Sequence, residues 1–138
     1  MLSKPMAGWT QVTFANLVYS ASYTTEVPID FLENLVKTLD TKTPHAFVLD
    51  TESEGEYTIL LDLDRSYLIH FDMVLAEQRP ILEIAKEVYE DIRSEYTEWS
   101  KWTPLEEDWD EYAKVLSAFL KDLHKSIQAE EQKIKAEE

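Results

Sequence analysis

The chain contains no cysteine. That absence excludes disulfides, thiolate metal sites and cysteine nucleophiles together. Glycine is nearly missing too, with Gly8 and Gly55 the only two. A glycine-rich phosphate loop therefore cannot be built, which removes P-loop and Rossmann nucleotide sites. No "GxSxG" nucleophile elbow is present among the serines. No apolar run approaches the roughly 20 residues of a membrane span. The opening stretch, "MLSKPMAGW", lacks the apolar segment of a secretory signal. A cysteine-free chain with these features is expected to be soluble and cytoplasmic.

Positive charge is the other scarcity. Thirteen lysines and arginines face 28 aspartates and glutamates, a formal net charge of −15. Binding to phosphate backbones requires a basic footprint, so direct nucleic-acid binding is not expected. Anionic membrane surfaces are disfavoured for the same reason. A basic protein partner is favoured, because opposite fields steer association. Hydrophobic residues make up 44% of the chain and aromatics 12%, too many for a disordered acidic tail. A chain of 138 residues is one domain by length. At that size roughly two thirds of the unfolded surface can be buried without staples.

The hydrophobic pattern begins in "WTQVTFANLVYSASY". If Ala15-Asn16 is a two-residue turn, Phe14 faces Leu17, Val12 faces Tyr19, and all four share one side. A single long bent strand is the rival, since the turn lacks glycine. "VPIDFLENLVKTLD" then reads as a helix with Leu32, Leu35, Val36 and Leu39 on one face and Pro28 in its first turn. Three strands are expected next: "HAFVLD", "YTILLDLD" and "YLIHFDMV". In the second, Tyr57, Ile59, Leu61 and Leu63 face one way. In the third, Tyr67, Ile69, Phe71 and Met73 do the same.

The remainder is helical. One stripe runs Ile81, Ile84, Ala85, Val88, Tyr89, Ile92, Tyr96 and Trp99. "TPLE" then announces another helix, with Thr103 as cap, Pro104 in first position and Glu106 closing a capping box. Its stripe is Leu105, Trp109, Tyr112, Leu116, Phe119, Leu120, Leu123 and Ile127. Residues 1–127 form the expected domain, and 128–138 a polar tail or frayed extension. Strands first and helices last indicate α+β. The expected architecture is an antiparallel meander of three to five strands, one N-terminal helix, and two long C-terminal helices packed on one face.

Tryptophan and acid meet in "EYTEWSKWTPLEEDWDEY", residues 95–112. Tyr96, Trp99, Trp109 and Tyr112 lie on apolar stripes and are expected to close the core. Trp102 falls off both stripes and is a candidate interface anchor. Residues 77–111 hold twelve acids and four bases, net −8. The expected partner-binding face combines Trp102 with Glu83, Glu87, Glu90, Asp91, Glu98, Glu106, Glu107, Asp108, Asp110 and Glu111. Part of the crowding at 106–111 serves the helix dipole. The whole suits a non-catalytic protein that neutralises a basic partner such as a nuclease toxin, in the manner of an immunity protein or antitoxin.

Three alternatives accompany that reading. The carboxylates could imitate DNA phosphates and block a nucleic-acid enzyme. A homodimer could form on the helix pair. A small metal-dependent enzyme could use Asp62, Asp64, His70 and Asp72 on an outward sheet face. In that last case Asp62 sits opposite His70 if the loop is Arg65–Tyr67, and Leu60 does if it is Asp64–Ser66. His45 and His124 have no adjacent ligands and are expected to be structural. No cofactor is expected.

Overall fold

The computed structural model describes residues 1–138. Strands β1 (Trp9–Phe14) and β2 (Leu17–Ser22) form an antiparallel hairpin around Ala15-Asn16, with Phe14 opposite Leu17 and Val12 opposite Tyr19. Both turn residues are left-handed, at φ 53° and 64°. That is the turn whose twist matches its strands, here built without glycine. Val12, Phe14 and Tyr19 are buried, so one hairpin face belongs to the core.

Helix α1 (Val27–Thr41) follows, with proline in its first turn and Lys42 at φ 58° closing its end. Phe31, Leu32, Leu35 and Leu39 are buried, and so are Asn34 and Thr38. The two polar ones are satisfied within the helix: Asn34 Nδ2 donates to the Asp30 carbonyl and Thr38 Oγ1 to the Asn34 carbonyl, each at 2.8 Å. A helix buried this widely lies inside a fold rather than on it.

Strands β3 (His45–Asp50), β4 (Glu56–Leu61), β5 (Ser66–His70) and β6 (Met73–Glu77) make a four-stranded antiparallel meander in that order. The stretch expected as one strand, "YLIHFDMV", is two. It turns at Phe71-Asp72, with Phe71 at φ 54°. Its parity is also reversed. Ser66 and Leu68 are the buried residues of β5, while Tyr67 and Ile69 look outward. Apolar side chains occupy both faces of β5, so alternation alone did not fix which face is inside.

The inner sheet face carries Phe47, Leu49, Tyr57, Ile59, Leu61 and Leu68, all buried. Phe31 of α1 meets Phe47 edge-on at 4.8 Å, and Tyr19 of the hairpin stacks on Tyr57 at 4.1 Å. The C-terminal helices, α2 (Ile81–Ser94) and α4 (Trp109–Glu137), pack on α1 and on each other. Thus α1 and the hairpin form the sheet's principal cover, and the long helices lie on α1. The class is α+β, as expected.

Two helix boundaries differ from the sequence reading. The helix from Ile81 breaks at Glu95 and resumes as the short α3 (Tyr96–Trp99). Burial of Trp99 and Trp102 overrides the local periodicity there. The capping box at Thr103 does not form. Leu105 is extended and 54% exposed, Glu106–Asp108 make a single 3₁₀ turn, and α4 starts at Trp109 with no side-chain cap. Helix α4 continues through the expected tail, where Lys42 pairs with Glu130 and Lys86 with Glu131.

Candidate functional site

The expected acidic face divides sharply once ion pairs are traced. Glu87 accepts from Arg79 and from the Met1 amine, the latter at 2.9 Å. Burial would raise its carboxyl, but these two cations outweigh that and hold it below the usual range. Asp91 accepts the Leu2 N–H at 3.0 Å and lies 3.4 Å from the Met1 amine. Glu90 pairs with Arg93 at 2.6 Å, and Glu98 with Lys101 at 3.8 Å. These four carboxylates are therefore paired with the protein's own cations, Glu87 and Asp91 partly buried and Glu90 and Glu98 at the surface. No such pair neutralises Glu83, Glu106, Glu107, Asp108, Asp110 or Glu111.

Trp102 is not an exposed anchor. It is 1% exposed, its ring lies 5.1 Å from that of Trp99, and its Nε1 donates to the Thr25 carbonyl at 2.9 Å. The connection "SKW" folds back onto the entry to α1, so a ring that left both helical stripes still reached the core. Trp109 stays half-buried, with the Lys101 ammonium 5.4 Å from its ring centre and its Nε1 bonded to the Thr103 carbonyl. A cleft of about 290 Å³ lies beside them, lined by Pro5, Gly8, Tyr23, Trp102 and Trp109. Its two charged groups, Glu98 and Lys101, are paired with each other.

The free carboxylates at the start of α4 continue toward the sheet. Tyr112 Oη donates to Glu26 at 3.2 Å, and Glu26 faces Asp30. Farther on, Ser22 and Thr24 hydroxyls donate to Glu52 at 2.8 and 3.0 Å. Half-burial raises Asp30, and Glu26 and Glu33 raise it further, to about 6 from an ordinary 3.8. The sign follows directly. Above pH ~6 the ionised Asp30 opposes folding. As pH falls through that value the folded protein takes up the proton first and gains stability, until the unfolded chain also protonates near its ordinary value. Asp30→Asn should therefore raise the melting temperature at neutral pH. The gain over the parent should shrink toward zero on acidification to the ordinary aspartate range. Thermal melts of both proteins across pH check this.

Asp62, Asp64, His70 and Asp72 are not brought together. Leu60 lies opposite Tyr67, so neither expected register for Asp62 and His70 occurs. His70 belongs to the inner face, stacked on Tyr57 at 4.0 Å, with Nε2 2.6 Å from the Glu54 carbonyl. Asp62 receives the Leu63 N–H at 2.8 Å. No group of three or more histidines and carboxylates is placed to hold a metal ion. His45 Nδ1 lies 3.0 Å from the Thr43 carbonyl, and His124 sits beside Tyr89.

The outer sheet face was not anticipated from the sequence. Register places Ala46, Leu60, Tyr67 and Ala76 in one row across the four strands, and Val48, Thr58, Ile69 and Val74 in the next. Seven of these eight are apolar. Val48 is 44% and Val74 61% exposed, so no layer covers them. Asp50 pairs with Glu56 at one end of the grid, where the Phe71-Asp72 turn also lies; Phe71 is 81% exposed. Asp62 and Asp64 lie in the connection at the other end. The only signal for this face was that β5 reads apolar on both parities.

No helix of the protein is long and apolar enough to cross a membrane. Comparison of the chain with protein-family models, with curated proteins and with solved structures finds no match.

Proposed function

We propose that this protein is a non-catalytic acidic binding protein that engages and neutralises a basic protein, as an immunity protein or antitoxin does. The observation that carries the reading is uncompensated charge. From Asp50 to Asp72 there are seven carboxylates, and from Glu106 to Glu111 five; none is paired with a lysine or arginine. A carboxylate paired at home has little field to offer a partner. An unpaired one keeps its field, and neighbouring ones add. The acids of α2 are largely spent on Arg79, Arg93 and the Met1 amine, so unpaired carboxylates remain chiefly at the start of α4 and the ends of the sheet.

Such a surface works mainly through encounter. Steering accelerates association with a cationic partner and is screened within about 10 Å at 0.1 M salt. The test is capture from a lysate of the native host on the immobilised protein, followed by a salt gradient. The captured protein should be basic, should elute with rising salt, and should associate more slowly as salt is added. A captured protein that is acidic, or whose association ignores salt, would overturn the reading. If DNA displaces the captured protein, the carboxylates stand in for phosphates.

A further inference from the structure

We infer that the outer face of the four-stranded sheet is the docking surface for a basic partner, one that presents an apolar centre flanked by lysine and arginine. This deepens the function proposed above and rests on it. Four strands about 4.8 Å apart and two outward rows about 7 Å apart give an apolar patch on the order of 300 Å² in plan. Exposed patches of that size on a monomer are frequently functional. A stable interface needs about 800 Å² from each side. The patch supplies less than half, so whatever docks must also cover its surroundings.

Those surroundings select the partner. One end of the face carries Asp50, Glu56 and Asp72, with Glu52 and Glu54 in the connection beyond. The other end carries Asp62 and Asp64. Between His45 and Ala76 the sole cation is Arg65. Two-fold packing of this face on a second copy is therefore disfavoured by charge. Any two-fold packing of the face on itself sets carboxylates against carboxylates over most of the rim, and like charges brought together oppose association. A partner with basic groups around an apolar centre meets both features at once. Its apolar part fills the Val48, Leu60, Tyr67, Ile69 and Val74 surface, and its cations reach the two acidic ends.

Phe71 marks the anchor. Its ring stands in solvent at the β5–β6 tip, beside His70 at 4.4 Å and close against Gly55. Its backbone is left-handed, which a bulky residue adopts only at a cost. Folding gains little from an exposed ring in a strained position; a docked partner gains an apolar knob at the β5–β6 tip, at one end of the face.

The test uses random short peptides displayed on phage, panned on the full-length protein at low salt. A parallel selection uses the Ile69→Thr/Val74→Thr variant. Threonine keeps β propensity and both sites face solvent, so the variant should fold; its circular dichroism and melting temperature check that. Peptides that bind the parent should be enriched in both basic and large apolar residues. The variant should bind them on the order of tenfold or more weakly, and Phe71→Gly should weaken them in the same direction. Three results would overturn the inference. Basic peptides could bind both proteins equally and be lost instead on Glu106→Gln/Glu107→Gln/Asp108→Asn. That outcome would leave the basic-partner function standing and move its surface to α4. The enriched peptides could show no basic excess, which would sink the function as well. Sedimentation could show a dimer that the paired threonine change dissolves, which would make the face a self-interface.

Discussion

Replacing Trp102 by alanine should destabilise the protein by about 3–5 kcal/mol, the range for truncating a large buried ring. That is a large share of the total stability of a typical folded protein, commonly about 5–15 kcal/mol. The ring is 1% exposed and packs on Trp99. Its Nε1 also ties the α3–α4 connection to the Thr25 carbonyl, 77 residues away in the chain. Phenylalanine separates the two contributions. Trp102→Phe keeps most of the apolar contact but removes one of the two hydrogen bonds to the Thr25 carbonyl, which still accepts from the Val27 N–H, at about 0.5–1.5 kcal/mol. Trp99→Phe is the matched control: it is as fully buried, yet its Nε1 has no partner in the protein, so that change removes no hydrogen bond. Urea denaturation of the three variants gives the order: Trp102→Ala the least stable, then Trp102→Phe, then Trp99→Phe. If Trp102→Ala left the midpoint unmoved while weakening partner binding, Trp102 would be an exposed anchor after all.

Reversing charge at the start of α4 should act chiefly on association rate, with a smaller stability cost of about 0.3–1 kcal/mol per group from the lost match to the helix dipole. The variant Glu106→Lys/Glu107→Lys/Asp108→Lys replaces three exposed, unpaired carboxylates outside any side-chain cap. Steering by such groups contributes about ten- to a thousandfold to on-rates, so a loss of tenfold or more is expected at low salt. The loss should narrow as salt rises past the Debye length of about 10 Å at 0.1 M. Off-rates should change less, because rim charges act mainly on encounter. Stopped-flow association with the captured partner, in low and high salt, measures both. The same reversal made at Glu87 and Asp91 should mainly destabilise the fold, since those carboxylates receive Arg79, the Leu2 N–H and the Met1 amine. An on-rate indifferent to the Glu106–Asp108 change would remove α4 from the binding surface.

Much of the architecture was legible where one physical signal dominated. The hairpin was readable because Val12, Phe14 and Tyr19 fall on one face only when the turn is Ala15-Asn16. The stripes of α1, α2 and α4 were readable because their periodicity is long and clean. Legibility failed where two signals competed. Strand β5 is apolar on both sides, so parity went the wrong way and took His70 with it, while Asp72 fell in the turn. "TPLE" has capping chemistry, but Thr103's carbonyl serves Trp109 Nε1 and the helix waits until residue 109. Trp102 lies between elements, where periodicity is silent, and only the fold reveals the Thr25 carbonyl that receives it. The acids were counted correctly as charge. Their pairing was not readable, because Arg79 and the Met1 amine reach Glu87 from parts of the chain that the sequence does not place beside it.

Helix α1 has neighbours on both sides: sheet and hairpin on one, α2 and α4 on the other. Such a middle wall is shared property. If the sheet separated, α1 would lose its support on that side, and the long helices would be left holding a half-stripped cylinder. If the long helices peeled away, the sheet would retain only a thin lid with wet leucines on its back. Neither part has a complete interior of its own, so the two are bound to melt together in a single cooperative step.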